Sequence, residues 1–371
     1  MGVTSTWLRA FGAWSAALII AVAMSACGDD DDDGGGGGGG GGGKIALLLP
    51  ETKTTRYEEQ DRPNFERRVK ELCKDCEVIY SNANQDPAKQ QQQAEAAITQ
   101  GAKVIVISAV DVASAGAIVQ RAQQSDVKVI AYGRLIPDAQ IDYYVSIDPF
   151  KVGQQQAEVQ MEAIQKSGAD APRVVMINGA PTDSNAKPYK DGAAQVLKER
   201  GAQVVKSFDT PDWSPDKAQQ QMEASITDLG KDGFDAVYSA NDGMAGGAIA
   251  ALKGASIDPK GRFVTGQDAE LAGIQRILTG DQLMTVYQPI IDIAETSAEL
   301  AVPIAQGKEP PADLVEDEVD NGQKQVPSSL LDTFAVGPDN IDDTVVKEGF
   351  LDVSDICTGS YADDCKKVGL E

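Results

Sequence analysis

From Lys44 onward, short apolar runs alternate with longer amphipathic segments. The runs are "KIALLL", "CEVIYS", "AKVIVIS", "VKVIAY", "YYVSI", "RVVMI", "AQVVKSF", "FDAVYS", "GRFVTG" and "LMTVYQ", each short enough for a strand and apolar enough to be buried on both faces. Between them lie "RPNFERRVKELC", "DPAKQQQQAEAAITQGA", "DVASAGAIVQRAQQSD" and "NDGMAGGAIAALKGA". These have helical spacing, an Asp or Asn near the start and often a glycine at the end. The second is the clearest, with Asp86 as N-cap, Pro87 in the first helical position, Gly101 at the stop and an apolar stripe of Ala94, Ala97 and Ile98. Strand and helix in repeated alternation predict parallel sheets with right-handed crossovers. About ten strands over this length fit two doubly wound lobes better than one very wide sheet. The expected fold class is therefore α/β.

The first residues follow another pattern. "MGVTSTWLRA" carries a single charge, Arg9, and "FGAWSAALIIAVAMSAC" continues as an uncharged apolar stretch ending in small residues, too short for a membrane span. It reads as an export signal over residues 1–27. Met24, Ser25 and Ala26 before Cys27 resemble a bacterial lipobox, whose cysteine is acylated and becomes the new N-terminus. Residues 28–43 hold five aspartates and then ten glycines. Neither block has apolar surface to bury, and polyglycine has the most backbone entropy to lose, so a tether is expected. Sixteen such residues reach roughly 20 to 24 Å on average, which holds a domain just clear of a membrane. The protein is thus placed outside the cytoplasm, attached to the membrane by lipid on Cys27.

Residues 44–371 make up the part expected to fold. Removing the five tether aspartates and Arg9 from the total charge of −24 leaves −20, which argues against nucleic acid and anionic membrane surfaces as partners. The chain has no histidine, which removes the commonest general base and metal ligand. With Cys27 given to lipid, Cys73, Cys76, Cys357 and Cys365 remain, an even number in an exported chain. Three pairings are open; the local one, Cys73 with Cys76 and Cys357 with Cys365, is preferred because each pair brackets a short stretch near an element end. "CKDC" occurs once and "CTGSYADDC" has the wrong spacing for zinc. No metal or cofactor is expected.

In an open parallel sheet, ligands bind beyond the carboxyl ends of the strands. Polar side chains collect where the apolar runs stop: Asp111, then Arg134 after Gly133, Asp148, "NGAPTDSNAK", Trp213, Asn241 and Asp242, Gln267 and Asp268, and Gln288. Singly, each has a structural reading; Asp242 and Asp268 could cap helices, and Arg134 could tie down a loop. As a set they offer amides, carboxylates and a guanidinium suited to vicinal hydroxyls, with Tyr57 and Trp213 as flat faces for a sugar ring.

"IDYYVSID", "INGAPTDSNA", "SANDGMAGGAIAAL", "TGQDAELAGIQRILTGDQLMTVYQPI" and "VPSSLLDTFAVGPDNIDDTVVKEGF" carry a resemblance from Lys44 to about Phe350. The chain resembles the type I periplasmic sugar-binding proteins, closest to the xylose-binding group and more distantly to the ribose-binding proteins. The resemblance implies two Rossmann-like lobes joined by a three-crossing hinge, a sugar held between them, and delivery of the closed complex to a membrane permease. It implies Arg134, Asn241 and Asp268 as sugar contacts, with Gln288 where the xylose group tends to have lysine. Arg56 and Tyr57 match the basic and aromatic pair of the first loop, Trp213 an aromatic wall, and Asn185 and Lys187 a loop of the second lobe. The chain departs from the pattern at Gly133, where the family usually has aspartate, at Pro149 and at Ser184.

The lobes are expected at 44–148 with 289–325 and at 149–288 with 326–356, followed by a disulfide-bonded tail at 357–371. The leading functional reading is a monomeric, lipid-anchored solute-binding protein that captures a xylose-like or related aldose for an ABC permease. A sugar sensor presenting its closed form to a chemoreceptor or sensor kinase would use the same pocket. A hydrolase would need a nucleophile beside a base, and the chain has neither a histidine nor a GxSxG elbow; no enzymatic activity is expected.

Overall fold

The computed structural model describes residues 42–370; the signal, Cys27 and nearly all of the tether lie outside them. The strands are β1 (Lys44–Leu49), β2 (Glu77–Asn82), β3 (Ala102–Ile107), β4 (Lys128–Tyr132), β5 (Tyr143–Ile147), β6 (Arg173–Asn178) and β7 (Gln203–Asp209). They continue with β8 (Ala236–Ser239), β9 (Thr285–Tyr287), β10 (Asp317–Asp320), β11 (Gln325–Leu331) and β12 (Phe334–Val336). The principal helices are α1 (Arg62–Leu72), α2 (Pro87–Thr99), α3 (Gly116–Gln123), α4 (Pro149–Lys166), α5 (Ala186–Glu199), α6 (Pro215–Leu229), α7 (Asp242–Gly254), α8 (Leu271–Thr279) and α9 (Ile290–Ala305).

Two sheets organise these elements. The first has the order β10-β11-β5-β4-β3-β1-β2 and is parallel except for the β10-β11 pair; the second has a parallel core, β7-β6-β8. Strands β1, β3, β4, β5, β6 and β8 are largely buried as their apolar runs predict, whereas β2 and β7 stand at the edges and are half-exposed. "GRFVTG" is not a regular strand. Phe263 sits at φ 44°, which breaks β geometry, yet the segment still bonds both neighbours, receiving Val237 N at Arg262 O and Leu283 N at Val264 O. It thereby links β8 to β9, and β9 pairs antiparallel with β12.

Local chemistry sets the helix starts. Asp86 accepts from the Ala88 and Lys89 amides at the head of α2. Asp148 does the same for Phe150 and Lys151 at the head of α4, with Pro149 in the first position, so that proline serves the helix start. Helices α4 and α5 approach closely because Gly153 and Gly192 face each other's backbone; a Cβ on them would stand 2.0 Å from Tyr189 O and 2.2 Å from Phe150 O respectively.

The chain passes between the sheets after Ile147, after Tyr287 and after Leu331. The third passage corrects the boundary expected at 325/326: β11 pairs with β5 from Ser328 against Tyr144 to Leu331 against Ile147, so 326–331 belong to the first lobe. The apolar alternation of "VPSSLL" satisfies either sheet, and pairing decides. The C-terminal segment is also no separate tail, since Ile356, Cys365 and Leu370 are buried against Ile274, Ile277 and Leu278 of α8. Disulfides join Cys73 to Cys76, at the end of α1, and Cys357 to Cys365. Among the described residues no helix is long and apolar enough to cross a membrane, and no cluster of His, Cys, Asp or Glu could hold a metal ion.

Candidate functional site

A cleft with about 470 Å³ of space not filled by protein atoms lies at the carboxyl ends of the strands of both sheets. Eight of the nine side chains expected there line it: Arg56, Tyr57, Arg134, Asn185, Trp213, Asn241, Asp268 and Gln288. All eight are buried. They come from loops after β1, β4, β6, β7, β8 and β9 and from the link between β8 and β9, so the sheet topology alone brings together residues up to 232 positions apart.

On the first-lobe side, Arg56 is held by Asp61 through two parallel bonds, Nε to Oδ2 at 2.9 Å and Nη2 to Oδ1 at 2.8 Å. This bidentate grip fixes the plane of the guanidinium. Tyr132 donates its hydroxyl to the same carboxylate. Arg56 lies 5.3 Å over the Tyr57 ring, and its Nη1 donates to Gln288 Oε1 at 3.2 Å and stands 3.6 Å from Asp268 Oδ1.

On the second-lobe side, two wall residues sit in left-handed backbone. Asp268 has φ 87° and Trp213 φ 51°, conformations that cost free energy in non-glycine residues and concentrate at functional sites. Burial pushes the Asp268 carboxyl above its ordinary pKa, with Arg56 opposing the shift. Asp268 accepts from Gln288 Nε2 at 2.9 Å. Asn241 combines two roles: its Oδ1 accepts the Met244 amide as the N-cap of α7, and its side chain also lines the cleft. The Trp213 indole lies over Gly179, where a Cβ would stand 2.2 Å from the ring. Tyr189 meets Trp213 edge-on, with centroids 6.4 Å apart.

The two sides are bonded directly. Arg134 Nε pairs with Asp183 Oδ2 at 2.8 Å, and the same oxygen accepts from Trp213 Nε1 at 3.2 Å. Arg134 also donates to Ala109 O at 2.7 Å and to the Tyr57 hydroxyl at 3.4 Å. Asn185 Nδ2 donates to Gly133 O at 2.7 Å. The Thr55 amide donates to Glu270 Oε1 at 3.2 Å, and burial next to Asp242 and Asp268 pushes the Glu270 carboxyl up to about 8. With three of its five N–H groups engaged, Arg134 keeps two for a guest. Ser108 Oγ and Gln267 Oε1, both lining the cleft, are buried without a hydrogen-bond partner. Such a wall has donors and acceptors for a polyhydroxylated guest and an aromatic face for its C–H side.

Residues 45–309 match the periplasmic binding protein domain. The chain belongs to the periplasmic binding protein family. It is 37% identical over 317 residues to the D-xylose-binding periplasmic protein of Escherichia coli, covering 84% of this chain and 92% of that one. It is 34% identical to the multiple sugar-binding periplasmic receptor ChvE of Rhizobium radiobacter, covering 71% and 79%. Among solved structures, an ABC transporter solute-binding protein from Clostridium phytofermentans with bound β-D-glucose matches with a TM-score of 0.77 and 30% identity, covering 84% of this chain and 99% of that one. The members named here are binding proteins, consistent with a cleft of paired donors and acceptors.

Within the family frame, one expected contact lies elsewhere. Lys187 does not reach the cleft; its side chain is 80% exposed and pairs with Asp191. Asn185 stands just before the first residue of α5, its side chain turned to Gly133 O, and two residues further on the helix has turned by about 200°, so Lys187 faces away. Conversely, Ser108 and Tyr189 line the cleft without any signal in the sequence, and Asp183 and Gln267, which fall among the polar stops of the apolar runs, line it without being implied as contacts by the resemblance. Asp183 lies two residues before Asn185 in the same loop after β6, where the polar stop of that apolar run offered a signal. Gly133 precedes Arg134 without supplying a carboxylate, and Asp183 supplies one from the other lobe instead.

Proposed function

We propose that this protein captures an aldose of the xylose or glucose type between its two lobes and delivers the closed complex to an ABC-type permease. The observation that carries the reading is the buried cleft at the carboxyl ends of both sheets. There Arg134, Asp183, Asn185, Asn241, Asp268 and Gln288 present paired donors and acceptors beside Trp213. The sugar-binding names of the relatives support the same ligand class. Bonds from both lobes to one guest favour the closed arrangement, because only that arrangement makes both sets. The protein acts as a monomer, outside the cytoplasm, anchored through lipid on Cys27 and held off the membrane by the Asp/Gly tether.

Calorimetry of the protein against D-xylose, D-ribose, D-glucose, D-galactose and inositol tests the ligand class. Micromolar or tighter binding of at least one aldose is expected; no heat with any of them overturns the sugar reading. Mass spectrometry of the mature N-terminus tests the anchor: a diacylglyceryl-modified Cys27 is expected, and cleavage elsewhere removes it.

A further inference from the structure

Gly133 and Ser108 together leave a polar recess in the cleft wall. Gly133 follows β4 at φ 71°, bonds Val145 O through its amide, and accepts from Ser146 Oγ and Asn185 Nδ2 at its carbonyl. A Cβ built on it would have one neighbour within 4 Å, Ser108 Oγ at 4.0 Å. The direction in which a side chain would project is therefore unfilled. Ser108 follows β3; its amide bonds Leu48 O and its carbonyl accepts from Gln90, but its hydroxyl, fully buried, has no partner. A buried hydroxyl without a partner is costly, and native proteins keep few of them. A guest carbon entering the recess would lie in van der Waals contact with that hydroxyl. An oxygen one bond further on would come within the usual O–H···O distance of about 2.7 to 2.8 Å.

We infer that the recess formed by Gly133 and Ser108 receives an exocyclic hydroxymethyl group, so that the site takes an aldohexose in preference to the matching pentose. The inference rests on the sugar-binding reading given above and adds the size class of the sugar. D-Glucose and D-xylose differ by this one group, and 6-deoxy-D-glucose keeps its carbon while removing its oxygen. The carbon contributes by filling the recess and the oxygen by satisfying Ser108. Gly133 is the residue that leaves the room, and its left-handed backbone admits aspartate or asparagine with less strain than other side chains.

The test is calorimetry with these three sugars on the wild type, Ser108→Ala and Gly133→Asp, with thermal unfolding to establish that each variant folds. The wild type is expected to bind D-glucose about tenfold tighter than 6-deoxy-D-glucose, and 6-deoxy-D-glucose tighter than D-xylose. Ser108→Ala is expected to collapse the glucose to 6-deoxyglucose ratio towards one, and Gly133→Asp to reverse the glucose to xylose order. A wild type that binds D-xylose as tightly as D-glucose overturns the inference while leaving the sugar reading intact. So does a Ser108→Ala variant that weakens all three sugars equally. Should Gly133→Asp fail to fold, the Ser108→Ala ratio decides. Silence of the wild type towards all three overturns the inference, and extended across the wider panel it overturns the sugar reading as well.

Discussion

On the first-lobe wall of the cleft, cations stand in front and acids behind: Arg56 lines the cleft while Asp61 grips it from beneath, and Tyr132 donates to the same carboxylate. On the second-lobe wall the acids and amides stand in front. Asp268 and Trp213 are held there by left-handed backbone, and Trp213 by the glycine beneath it. The first wall is thus oriented by side-chain bonds and the second by main-chain geometry. Where the walls meet, the arginine of one lobe finds the carboxylate of the other, Arg134 with Asp183. The same groups that would read sugar hydroxyls also bond the lobes, so ligand recognition and closure share one set of contacts.

Breaking the junction has the largest expected effect. Arg134→Met leaves Asp183 buried without its cation, and loss of one partner of a buried pair costs about 3 to 5 kcal/mol, on the order of a hundredfold or more in affinity. Isothermal titration with the sugar that the wild type binds measures it; a loss under threefold would mean that the pair is incidental to binding. On the second wall alone, Asp268→Ala removes the acceptor shared by Gln288 and Arg56. A loss of at least about tenfold is expected, and an unchanged Kd would take this residue out of the site.

A third test concerns pH. Glu270, accepting across the lobes from the Thr55 amide, has its carboxyl pushed up to about 8 by burial and by Asp242 and Asp268, above the ordinary value of about 4.3 for an unfolded chain. The folded state therefore holds this proton more tightly than the unfolded one. The resulting stability is fully present below about pH 4.3 and is lost as pH rises through about 8. Melting temperature should accordingly fall across that window, and Glu270→Gln, which carries no proton to lose, should flatten the fall. Identical slopes for both proteins would show that Glu270 does not couple to folding. The smallest effect is expected at Lys187, exposed and paired with Asp191 on the outer face of α5. Lys187→Ala should leave Kd within about twofold, since an exposed pair of this kind contributes little; a tenfold loss would place the side chain in the cleft after all.

Much of this arrangement was legible in the linear chain. The alternation of apolar runs with amphipathic segments determined two parallel sheets, because burial on both faces leaves period-free runs that only covered strands accept. The stops of those runs located the polar wall, because ligands meet parallel sheets at their carboxyl ends. The start of α2 at Asp86 and Pro87 was equally plain, since capping depends on neighbours in sequence.

What the sequence could not determine depends on contacts between distant segments. Whether 326–331 joined the first or the second sheet was settled by pairing with β5, because strand partners are chosen in space and the apolar pattern suits either. Lys187 was excluded by helical phase, and Asp183 was brought to Arg134 by closure of one lobe on the other. Asp61 supports Arg56 from five positions away, but Tyr132, 71 positions further on, reached the same carboxylate only through the fold of the first lobe. Local chemistry is set by residues a few positions apart, whereas a cleft between lobes is set by which surfaces meet, and only the tertiary structure holds that information.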